Sequence, residues 1–185
     1  MNGIDILYIV LLLGGLALGF FQGTIRLLIA IVAFYVGIVL ASLYFTTVGL
    51  VFQRRFSSTL YVGQITAFAI ILLVSFLLLS IAGFYTFRYA KMPASLDFID
   101  RIVGTLCGLF LGALFLGMLA IVLKDLFVYQ DVAGTVTFPI VRLIQRGVRE
   151  SFLIGFFSNQ ILPLIFTTMR PILPRDAVDV IFRFQ

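Results

Sequence analysis

Residues 102–123, IVGTLCGLFLGALFLGMLAIVL, run for 22 positions without a charged side chain. A helix needs about 20 apolar residues to cross the hydrocarbon core of a bilayer, so this stretch is long enough to span it. Three more uncharged runs precede it, at 6–25, 27–53 and 56–87. The short gaps between them hold nearly all the charge of the first 123 residues. Only 11% of the 185 residues are charged and 62% are hydrophobic, whereas a soluble domain carries roughly 25% charged residues. The pattern predicts an all-α polytopic membrane protein. Four transmembrane helices occupy 1–123, and a C-terminal amphipathic, interfacial helical segment occupies 124–185.

The four helices are expected at about Ile4–Phe21, Arg26–Phe52, Leu60–Phe87 and Ile102–Leu123. Only residues 22–25 separate the first two, which predicts a tight antiparallel hairpin. The second and third runs exceed the length a bilayer requires, so these helices tilt or project into water. No Lys or Arg precedes the first run, so residues 1–21 are expected as a retained helix rather than a cleaved leader.

The tail differs in kind. It holds 12 of the 21 charged residues and four of the five prolines. Arg142, Arg146 and Arg149 recur at helical spacing, with Val141, Ile144, Val148 and Phe152 on another face. Such a helix lies in the membrane interface, binds anionic lipid, or packs its apolar face on the bundle; the readings are compatible. Residues 151–169 are again uncharged, but Ser158, Asn159, Gln160 and Pro163 interrupt the middle. Polar groups there are costly in lipid, which favours an interfacial or re-entrant segment over a fifth span.

Glycines mark the helix faces. Gly15, Gly19 and Gly23 are four apart, as are Gly104, Gly108 and Gly112; Ala33, Gly37 and Ala41 extend the pattern to the second helix. Residues four apart share a face, and small residues there let backbones approach closely. Packing within one chain and packing between subunits predict the same motif, and a homo-oligomer remains an expected assembly.

The charges at the helix ends have structural readings first. Asp5, Asp97 and Asp100 stand at helix starts, where a carboxylate favours the positive end of the helix dipole; Ser95 is a candidate cap. Arg26 and Asp100 fall on one membrane side, so a pair between them could clamp the two hairpins. Arg26, Arg88, Lys91 and Arg101 on that side outnumber Arg54, Arg55 and Lys124 on the other. By the positive-inside rule this four-to-three excess places both termini outside, while the basic tail pulls the other way, so charge alone leaves the orientation open.

No catalytic constellation emerges. There is no histidine and a single cysteine, Cys107, inside an apolar run. No Lys stands inside a helix to activate Ser42, Ser75 or Ser80. No metal-ligand spacing and no phosphate loop is present, so no cofactor or metal is expected. The basic residues are scattered over membrane flanks, which excludes nucleic acid as the reading of the net charge of +5.

The segment Leu96–Gly112, LDFIDRIVGTLCGLFLG, resembles the signature of the colicin V production protein (CvpA) family. That signature is Asp-Arg, here Asp100-Arg101, followed by glycines four apart. Ile4-Asp5 and the turn Gly23-Thr24-Ile25-Arg26 fit the same family, and Gln160-Ile161-Leu162-Pro163 resembles a segment before its C-terminal helix. The chain departs where the family often carries charge: Gln22, Leu27 and Leu111 stand in place of Arg, Glu and Arg. The resemblance implies a bacterial inner-membrane protein with roles in colicin V production or export, hence toxin biosynthesis, and in envelope homeostasis. It implies secretion or envelope proteins as partners and, from relatives fused to an extracytoplasmic protease, an outward C-terminus. The expected function is a non-enzymatic scaffold or accessory factor. The alternative is an oligomeric channel or transporter lined by the glycine faces.

Overall fold

The computed structural model describes residues 2–56, 59–89, 97–124 and 139–169, without the side chains of 56, 139–144, 162 and 169. Every element among these residues is helical. They are α1 (Gly3–Phe56), α2 (Leu60–Thr86), α3 (Asp97–Lys124), α4 (Pro139–Glu150), α5 (Phe152–Phe156), a π-helical turn (Phe157–Ile161) and α6 (Leu162–Met169). Three stretches are long and apolar enough to cross a membrane: Gly3–Arg55, Leu60–Thr86 and Asp97–Lys124.

The first of these is two helices joined at one residue. Gly23 has φ 76° and ψ 173°, a conformation open essentially to glycine alone. Contacts on either side show the reversal. Before the break, Gly19 lies on Gly104 and Gly15 on Gly108, so limb one (residues 3–22) runs antiparallel to α3. After it, Phe34 stacks on Phe115, so limb two (residues 24–56) runs along α3 in the same sense. The expected turn of four residues is thus compressed into one glycine. Limb two then runs antiparallel to α2, with Ile29 against Gly83, Gly37 against Leu72 and Gly49 against Gln64. Its 33 residues make about 50 Å of helix, more than the ~30 Å hydrocarbon core. The last helix begins at Asp97, earlier than the apolar run alone indicates.

Aromatic side chains fill the centre. Phe34, Ile38, Phe45, Phe68 and Leu114 are among the most deeply buried residues. Phe76 and Phe115 meet at 5.1 Å between ring centroids, and Phe34 and Phe115 at 5.3 Å. A second cluster joins Tyr8 and Leu116 to Val148, Ile154 and Phe157 of the C-terminal region. Residues 152–168 are therefore part of the packed structure. Ile165 is fully buried in the central cluster, and Ile161 and Ile165 lie on Gly117 of α3. The π-helical turn coincides with Ser158, Asn159 and Gln160, the polar group that interrupts this run.

Candidate functional site

Limb one and α3 meet along a seam of backbone. A Cβ placed on Gly15 would stand 3.0 Å from the carbonyl oxygen of Gly108, and one on Gly104 would stand 2.6 Å from that of Gly19. A Cβ on Gly108 would collide with the Gly15 carbonyl and come within 2.8 Å of the Gly19 Cα. Gly112 is roomier, its nearest neighbour being the Gly15 Cα at 3.9 Å. Gly37 sits in a looser contact, 3.3 Å from a methyl of Leu72. Apolar lipid supplies no hydrophobic force between helices, so such close approach is where packing attraction is gathered.

The seam ends at the turn. Asp100 reaches from the first turn of α3 and accepts the Thr24 amide hydrogen at 2.8 Å. The Thr24 hydroxyl donates to the Asp100 carbonyl at 2.9 Å. Thr24 opens limb two, so a carboxylate from another helix satisfies an N-terminal donor that its own segment leaves unmade. A Cβ added at Gly23 would collide with the Asp100 carboxylate. The expected Arg26–Asp100 pair does not form: Asp100 is committed to backbone, and Arg26 is exposed. Arg101 instead pairs with Asp97 at 3.0 Å and stacks over the Phe20 ring. Lys91 and Ser95 lie outside the described residues.

At the opposite end, Asp5 is buried and joins the two ends of the described structure. Its carboxylate accepts from the Asn2 amide at 2.9 Å, the Ser151 hydroxyl at 2.6 Å and the Leu153 amide at 3.1 Å. The first bond is half of a capping box on limb one. Ser151 itself caps α5 by accepting the Ile154 amide at 3.1 Å. The Asn2 side chain donates to the Gly147 carbonyl at 3.1 Å. Nothing in the sequence reading singled out Ser151, although a serine opening an apolar run is a cap signal. In α4 the buried Val148 faces the bundle, while Arg146 and Arg149 are exposed. The Arg142 side chain lies outside the described ones.

One further feature has no sequence signal. A groove of about 670 Å³ runs between limb one and α2. Leu27, Ala30, Gly108, Gly112 and Phe115 form its floor, and Leu18 and Ile81 stand on its walls. Ser80 also lines it; its hydroxyl is buried and has no hydrogen-bond partner. Among the described residues, no group of three or more His, Cys, Asp or Glu could hold a metal.

The turn, the aspartate that caps it and the glycine seam fall within residues 4–161, which match the family model described as Colicin V production protein. This chain belongs to the colicin V production protein family. No curated protein and no solved structure matches it. The charges that carry the sequence resemblance lie in two places among the described residues: Arg26, Asp100 and Arg101 at the turn, Asp5 at the tail contact. Gln22, Leu27 and Leu111, where this member of the colicin V production family lacks the charges expected from the resemblance, all line the groove. With leucine at 27 and 111, the lining is apolar apart from Gln22 and Ser80.

Proposed function

We propose that this colicin V production family member is a non-enzymatic scaffold or accessory factor of the bacterial inner membrane, supporting secretion and envelope homeostasis. The observation that carries this reading is how the glycines are used. Gly15, Gly19, Gly104 and Gly108 face one another inside the chain, and the centre is filled by Phe34, Phe76 and Phe115. A glycine-lined pore would need those faces free. What the bundle does present outward is apolar helix surface, including Val32, Leu43, Leu78 and Ile81. That surface faces lipid and leaves whole helix faces available to neighbouring membrane proteins.

In this reading the chain crosses the membrane four times, the two limbs of α1 counting separately, with 1–123 as the transmembrane domain. The end carrying Arg26, Arg88 and Arg101 faces the cytoplasm, and both termini face outward. Purified protein in planar bilayers tests the scaffold reading: no conductance is expected. Reproducible conductance abolished by Gly112→Leu in a folded protein would replace it with a channel. A C-terminal reporter that matures only in the cytoplasm should stay dark, and a bright one would invert the topology.

A further inference from the structure

We propose that the groove between limb one and α2 seats an acyl chain of an anionic glycerophospholipid. The groove is open along its walls, since Leu18 and Ile81 are exposed, and closed at its floor, where Leu27 and Ala30 are buried. Its 670 Å³ and nearly wholly apolar lining match the sites that hold small apolar ligands, which fall roughly between 300 and 1,000 Å³. Four helical segments here give a chain a concave seat.

Two observations select the occupant. The first is charge at the mouth. Arg26 lies one helical turn above Ala30 on limb two, and Arg88 lies just beyond the end of α2, four residues past the groove residue Phe84. Arg88 is steadied over the rings of Tyr85 and Tyr89, at 5.5 and 4.4 Å. Arg101 is at the same end, paired with Asp97, while Asp100 is taken up by Thr24. The acidic groups there are thus engaged, and among the described residues Arg26 and Arg88, the latter also donating to the Tyr89 hydroxyl, are the cations left at that end to meet a lipid phosphate. Basic residues at this depth attract anionic headgroups. The second observation is Ser80. The residue is 6% exposed and lines the groove, and its buried hydroxyl has no hydrogen-bond partner in the protein. Buried polar groups are normally satisfied, and one left open inside a ligand-sized groove suits an ester carbonyl of the bound lipid. A helix from a second copy would offer neither a negative group at the mouth nor, from its apolar face, an acceptor for Ser80.

Gly14 supplies the test, because a Cβ there meets nothing within 4 Å and a larger side chain would extend into the groove it lines. The full chain is reconstituted in nanodiscs of phosphatidylcholine doped with phosphatidylglycerol bearing a photoreactive acyl chain. Label should concentrate on residues 10–30 and 76–84, and excess unlabelled phosphatidylglycerol should compete it away. Gly14→Leu should cut that labelling at least tenfold with the protein still folded. Gly155→Leu, at a site equally open but distant, should leave it unchanged. Arg26→Gln with Arg88→Gln should abolish the preference for phosphatidylglycerol over phosphatidylcholine. Even labelling around the bundle, or labelling indifferent to Gly14→Leu, would overturn the proposal. A change of oligomeric state in Gly14→Leu would overturn it in favour of a second copy as occupant.

Discussion

Two interfaces meet on α3, and they are built from opposite materials. Against limb one, α3 presents glycines, and the contact is backbone on backbone, with Gly104 and Gly108 under the carbonyls of Gly19 and Gly15. Against limb two it presents Phe115 and Leu114, and the contact is ring on ring with Phe34. At Gly19, Gly104 and Gly108 the seam tolerates no added atom, because the obstructing atoms are main chain and cannot rotate away. The aromatic side tolerates change in proportion to the volume lost. One helix therefore carries a rigid register mark on one face and a deformable filling on the other.

The comparison breaks most easily at Gly108. Gly108→Leu forces limb one and α3 apart, and the folded yield in detergent should collapse; a normal yield with an unchanged melting temperature would remove the seam from the account. On the aromatic side, Phe34→Ala opens a cavity and should cost about 3–5 kcal/mol by analogy with soluble cores, read from unfolding in mixed micelles. The expected difference is one of kind: Phe34→Leu should recover most of the loss, while at Gly108 even alanine should not be accepted. A smaller effect belongs to the turn. Asp100→Ala removes a cap from limb two and should cost about 0.5–2 kcal/mol, whereas Arg26→Gln should leave stability near its starting value. Equal losses from both would restore an ion pair between them. The smallest effect sharpens the seam: Gly112→Ala should be within about 0.5 kcal/mol of the parent, since its neighbour is at 3.9 Å.

The helices were legible because lipid imposes a strict rule on length and charge. The reversal was legible because a glycine stood between two uncharged runs with no room for a longer loop. Glycines four apart mark a face, but spacing names no partner. Only the fold sets 15 against 108 and 19 against 104. The Asp100 contact shows another limit. Opposite charges on one side of the membrane suggested an ion pair, yet the Thr24 amide is the nearer claim on the carboxylate. Backbone donors leave no trace in composition. The tail was least legible. Its polar interruption argued for an interfacial segment, and the structure absorbs that interruption in a π-helical turn while burying Ile165, with the half-buried Ile161, against Gly117. The groove, with Ser80 in it, depends on where four segments leave space, which no local pattern encodes.

The bond between Asp5 and Ser151 joins residues 146 positions apart. At about 5–20 residues per second, roughly 7–30 s of synthesis separate the emergence of the two. Through that interval the limb-one carboxylate lacks two of the donors that later surround it, and it must remain where water can reach it. The contact of limb one with the tail can therefore close only after residues 151–153 have been made. Synthesis of residues 151–153 becomes the event that completes the shell around Asp5, and a product cut short before Ser151 would carry at its first helix a carboxylate short of two donors.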